Sequence, residues 1–81
     1  MHISILTPDK EIFTGEINAV KVPGTDGQFQ ILKNHAPIIS SLQKGEVEVQ
    51  KADGTKLNFS IEKGFVENLN NSVSLLVQGV K

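Results

Sequence analysis

Apolar residues recur at every second position along most of this chain. Ile3 and Ile5 alternate with His2 and Ser4, Val47 and Val49 with Glu46, Glu48 and Gln50, and Leu57, Phe59 and Ile61 with Lys56, Asn58 and Ser60. Val73, Leu75 and Val77 keep the same step around Ser74. A period of two turns one face of an extended chain to a core and the other to water, and the β-branched residues here suit that backbone. Turn-forming residues interrupt the pattern at Pro8-Asp9, Gly15, Gly24 to Gly27, Gly45, Asp53-Gly54, Gly64 and Asn70-Asn71. Spacings of about eight to twelve residues between such signals predict an all-β fold, a flattened antiparallel sandwich or barrel. Only Ile38 to Lys44 suits a turn of helix.

One hairpin can be assigned a register. A loop of Asp53-Gly54 alone would set Val49 opposite Asn58 and Val47 opposite Ser60, so polar groups would share the core face. A loop of Ala52-Asp53-Gly54 instead opposes Val49 to Leu57 and Val47 to Phe59, with Gly54 in the left-handed region. Lys56 then lies diagonal to Glu48. The connections at Gly64 and at Asn70-Asn71 stay unassigned, because Glu67 and Asn68 spoil either alternation.

The run Val22 to Pro37, VPGTDGQFQILKNHAP, concentrates fixed backbone. Gly24 and Gly27 flank Thr25-Asp26 and call for a tight turn with positive φ at one or both glycines. Gln28 to Leu32 alternates as a half-buried strand, Asn34 breaks it, and Pro37 biases Ala36 toward extended backbone. This is a rigid surface corner, suited to contact.

Composition narrows the function. The 81 residues make one domain, 1–81, with no cysteine for a disulfide or thiolate site. Net charge is −1 and all eight basic residues are lysines, which argues against nucleic acid. No tryptophan or tyrosine is present for base stacking. No apolar run approaches the ~20 residues of a membrane span, and the start MHISILTPDKE lacks the form of a secretory signal. His35, with Asp26 or Asp9, could act as a base, but Ser40, Ser41 and Thr25 lie in no nucleophile motif. His35 is read instead as a corner or contact residue. His2 and His35 have no ligand spacing for a metal, and Gly24 to Gly27 precedes neither a lysine nor a helix that would hold phosphate. Catalytic residues, metal and cofactor are all expected to be none. The lysines Lys44, Lys51, Lys56 and Lys63, interleaved with acids, read as a solvated face.

In order, Thr7-Pro8, Phe13-Thr14-Gly15, Val22-Pro23-Gly24-Thr25-Asp26-Gly27, Ile31-Leu32-Lys33-Asn34-His35-Ala36-Pro37, Gly64-Phe65-Val66-Glu67 and the strand from Val73 to Val77 resemble the N-terminal β-sandwich domain of the epsilon subunit of bacterial F-type ATP synthases. The resemblance covers nearly the whole chain, with its most specific part around His-Ala-Pro. It implies a ten-stranded sandwich of two five-stranded sheets, a non-catalytic rotor subunit of the central stalk coupling proton flow to ATP synthesis. The partners it implies are the gamma subunit and the c-ring, on the cytoplasmic face of the bacterial inner membrane. Carried onto this chain, Thr7, His35 and Ser40 would lie toward gamma, and Asp26 and Gln28 toward the c-ring. Gly24, Gly27, Pro37 and Gly54 would be structural turn positions. Gln28 replaces a frequent glutamate, weakening any charge-assisted contact there to a neutral one; Lys33 replaces a proline and Gln30 a glycine. Longer members carry a C-terminal pair of helices that can bind ATP; the chain stops at Lys81, so a short form that does not bind ATP is expected. Two other readings compete. One is a biotinyl or lipoyl carrier, whose modifiable lysine would sit in a Met-Lys-Met or Asp-Lys-Ala setting that Lys51 and Lys56 lack. The other is a general binding sandwich that recruits a peptide at a sheet edge.

Overall fold

In the computed structural model, which describes residues 1–81, the alternating segments form eight strands and no helix. They are β1 His2–Leu6, β2 Glu11–Gly24, β3 Gly27–Leu32, β4 Ile38–Leu42, β5 Gly45–Lys51, β6 Lys56–Ile61, β7 Lys63–Leu69 and β8 Ser72–Gln78. No helix is long and apolar enough to cross a membrane.

Strand β2 makes the two layers one body. Its first half pairs with β1, from Leu6–Glu11 to His2–Glu16. A bulge between Ile17 and Ala19 then redirects the strand into the second layer, where it lies between β3 and β5. Its last residue, Gly24, returns to pair with Leu42 of β4. One layer is therefore β1-β8-β7-β4, and the other is β3-β2-β5-β6. Between them lies a core of 15 buried residues, including Ile3, Ile5, Val66 and Leu75 from the first layer and Val20, Ile31, Val49 and Ile61 from the second.

Several sequence expectations are corrected by this arrangement. Ten strands become eight, because β2 runs unbroken for 14 residues through Gly15 and up to Gly24. The sheet is not wholly antiparallel, since β1 and β8 pair in parallel. Ile38 to Leu42 is extended, not helical, because its pairing with β7 satisfies its backbone. Gly45 opens β5 and Gly64 lies within β7, so neither is a hairpin tip; the chain crosses between layers at Glu62, whose amide donates to Gln78 O. At Asn70-Asn71 both residues have positive φ, 51° and 63°, which gives a two-residue hairpin of the twist-compatible kind.

The β5–β6 hairpin has the register that the pattern predicted, with Val49 opposite Leu57 and Val47 opposite Phe59. Gly54 has φ 91°, and Lys56 Nζ lies 3.8 Å from Glu48 Oε2. In its turn, the Asp53 carboxylate accepts from the Thr55 hydroxyl at 2.6 Å and the Thr55 amide at 2.9 Å. These bonds, hydroxyl first, hold the Asp53 carboxyl below the usual carboxylate range. A lowered native pKa stabilises the fold above the unfolded value and is lost as pH falls through the lowered one. Asp53→Ala is therefore expected to lower stability at neutral pH and to flatten its dependence below about pH 4. Denaturant melts across the acid range check this; parallel curves for the two proteins would contradict it.

Candidate functional site

The outward faces of the two layers differ in kind. On β5 and β6 the outward residues are Glu46, Glu48, Gln50, Lys56, Asn58 and Ser60, a solvated face. On β1-β8-β7-β4 the pairing aligns Leu6, Leu76, Phe65 and Ser41 in one cross-strand row. The next row is Ser4, Ser74, Glu67 and Ile39, and the third is His2, Ser72 and Leu69. Five of the six large apolar residues left exposed lie here: Leu6 37%, Leu76 48%, Phe65 40%, Ile39 64% and Leu69 54%. Clustered exposed apolar side chains on one face mark an interaction surface.

Two hollows end this face. One, of about 460 Å³, is bounded by Leu6, Thr7, Pro8, Phe65 and Leu76. The other, about 400 Å³, is bounded by Pro37, Ile39, Glu67 and Leu69. The first is lined mainly by apolar surface, with Lys63 among its lining residues, and suits a side chain inserted by a partner.

The sequence-predicted contact residues surround this face and do not form a cluster. Thr7 follows β1 at one end; its hydroxyl donates to Lys10 O at 3.1 Å and accepts the Asp9 and Lys10 amides, pinning the β1–β2 turn. His35 lies at the opposite end of the strands, a strand length of ~17 Å along them and three strands across the sheet. Its Nδ1 donates to Ala36 O at 2.7 Å, and its carbonyl accepts from Asn68 Nδ2 at 3.2 Å. Ser40 pairs with the inward-facing Val66, so its half-buried side chain turns toward the interior, and its hydroxyl donates to Ser41 O. Asp26 and Gln28 stand exposed on the β2–β3 hairpin. Of its glycines, Gly27 has φ 126°, while Gly24 is not in the left-handed region and is buried. The tip is tied to β4 by Thr25 N donating to Ser41 O and Gln43 N to Pro23 O. Pro37 leads into β4 beside Ile39.

Asn68 explains why the β7–β8 register was illegible. It occupies an inward position beside Val66 at 1% exposure, and its Oδ1 has no hydrogen-bond partner. Asn68→Val removes a buried orphan acceptor, a gain of about 1–3 kcal/mol, and loses one hydrogen bond of about 1 kcal/mol. A net gain of about 1 kcal/mol is expected, together with faster amide exchange from Lys33 to Ala36, where the anchor is lost. Thermal melts and exchange rates measure both; a destabilised variant with an unchanged loop would contradict the account.

No group of three or more His, Cys, Asp or Glu side chains is placed to hold a metal. The one histidine–carboxylate pair, His2 Nδ1 to Glu16 Oε2 at 3.0 Å, lies exposed at the β1–β2 edge beside the Met1 ammonium. That hydrogen bond holds the Glu16 carboxyl below its ordinary range. The sequence reading missed the apolar face itself. Its signal was present in adjacent apolar pairs, Ile38-Ile39, Phe65-Val66 and Leu75-Leu76, because a period of two must turn one of each pair outward.

The comparisons with known proteins agree with this geometry. The family described as ATP synthase, Delta/Epsilon chain, beta-sandwich domain matches residues 1–81. An ATP synthase epsilon chain from Leptospira borgpetersenii is 41% identical over 94% of this chain and 59% of its own length. One from Chlorobium limicola is 42% identical over 96% of this chain and 89% of its own. The chain thus spans under two thirds of the first relative and most of the second. Among solved structures, a chain of the Euglena gracilis mitochondrial ATP synthase OSCP/F1/c-ring assembly superposes with TM-score 0.89 at 21% identity. It covers 98% of this chain and 51% of that one. A chain of the Tetrahymena thermophila central stalk/c-ring gives 0.83 at 14%, covering 99% of this chain and 64% of that one, so both show a shared fold. With the family pattern matched from the first residue to the last and relatives above 40% identity, this chain belongs to the ATP synthase delta/epsilon-chain β-sandwich family.

Proposed function

We propose that this chain is a non-catalytic central-stalk subunit of a proton-translocating F-type ATP synthase, held between the gamma subunit and the c-ring on the cytoplasmic face of a bacterial membrane. The observation that carries the reading is the asymmetry of the two outer faces. The β1-β8-β7-β4 face bears Leu6, Phe65, Leu76, Ile39 and Leu69, and gamma covers it. Thr7 and His35 border that interface at its two ends, while Ser40, whose side chain turns inward on β4, lies beneath it between the outward Ile39 and Ser41. Asp26 and Gln28, on the exposed hairpin, meet polar loops of the c-ring.

The load path follows from the hydrogen bonds. The hairpin tip bonds to β4, β4 is paired along its whole length with β7, and β7 carries Phe65, Glu67 and Leu69 across the docking face. Force applied at Asp26 therefore reaches gamma through backbone ladders and not through a flexible loop. Such a part needs stiffness and two faces, with no chemistry of its own. Binding of purified gamma to this chain tests the proposal, and a failure to bind under assembly conditions would refute it. Cysteine at position 28 should cross-link to the c-ring in the assembled enzyme, whereas cysteine at Asn58 should not.

A further inference from the structure

Glu67 is the one carboxylate on the outer face of β1, β8, β7 and β4. Its cross-strand neighbours are Ile39 and Ser74, and Phe65 and Leu69 flank it along the same face of β7. None of the ion pairs of the structure includes it. Lys63, also outward on β7, lies four residues away, ~13 Å along an extended strand, beyond pairing distance.

Two demands meet at this position. The apolar residues around Glu67 gain from losing water, while an ionised carboxylate buried without a counter-charge is strongly penalised. A purely apolar partner would satisfy the first and violate the second. Protonation would relieve the charge but would still leave the acid to be hydrogen-bonded. We infer that the partner surface places a lysine or arginine directly opposite Glu67, and that this pair fixes the orientation in which gamma seats on the face. The inference rests on the docking reading above and adds the chemistry of the partner's contact. An arginine, with its planar fork, would also reach the Ser74 hydroxyl across the row. Electrostatic contacts set within apolar surroundings discriminate between alternative seatings more than they add raw affinity.

The test measures binding of purified gamma at low and high salt for the unaltered chain, Glu67→Gln, Glu67→Lys and the control Glu46→Lys on the opposite layer. Glu67→Gln should weaken binding about tenfold and flatten its salt dependence, and Glu67→Lys should weaken it about another tenfold. Glu46→Lys should bind as the unaltered chain does. Should Glu67→Lys fail to fold, the isosteric Gln variant decides alone. Equal or tighter binding by Glu67→Gln overturns the inference and leaves the docking reading standing, as does an equal loss in Glu46→Lys, which would reduce the effect to net charge. Failure of the unaltered chain to bind overturns the docking reading and this inference together.

Discussion

Replacing Phe65 and Leu76 together by aspartate is expected to weaken binding to gamma about a thousandfold while the chain still folds. The two residues are cross-strand neighbours, outward and roughly half exposed, and both line the larger hollow of the face. In the free chain they touch water, so the new carboxylates would be solvated there. The cost to the fold is the lower strand propensity of aspartate, one lost apolar pair and the repulsion of two directly opposed carboxylates, about 1 kcal/mol each. In the complex the same carboxylates would be stripped of water against an apolar partner surface, next to Glu67, and nothing would compensate them. Calorimetric titration gives the affinity and a thermal melt gives the fold. Unchanged affinity in a folded variant would remove this face from the interface.

Gly24→Val is expected to be the most damaging substitution in the β2–β3 hairpin, at about 3 kcal/mol, or a melting point lower by about 15 °C. The reason is space and not backbone sign. A Cβ at Gly24 would stand 2.7 Å from Gly27 O and 2.7 Å from a ring carbon of Phe29. The ring can turn aside, but the carbonyl belongs to the turn that closes the hairpin. Gly27→Val meets no atom within 4 Å, and its φ of 126° alone makes it unfavourable, at about 1–2 kcal/mol. Denaturant unfolding of the two variants ranks them, and the reverse order would show that turn strain outweighs the close approach. A sequence motif with two glycines thus hides two separate requirements, one for room and one for conformation.

Where a residue's role depended on its immediate neighbours, the sequence was legible. The β5–β6 register followed from the requirement that Val47 and Val49 share a face with Phe59 and Leu57. The Gly24–Gly27 corner and the strand after it were also visible. Less local features were not. Gly15 reads as a turn until β1 is seen to pair beside it, and Ile38 to Leu42 reads as helix-compatible until β7 supplies its hydrogen bonds. Asn68 spoiled either alternation because the carbonyl that receives its amide and lets it sit inward, that of His35, is 33 positions away.

By itself, then, the order of residues determined that the chain is extended throughout, which hairpin closes with which register, and which family it resembles. The first two depend on side chains alternating about a local backbone, and alternation is written in the sequence; the resemblance rests on the ordered motifs around His-Ala-Pro. Only the tertiary structure decided that β2 joins both layers, that β1 and β8 run in parallel, and that Leu6, Leu76, Phe65 and Ile39 meet on one open face around Glu67. These are pairings between distant segments, selected by which strands can together enclose the core, and a one-dimensional pattern records that a strand has two faces without recording which neighbours will share them.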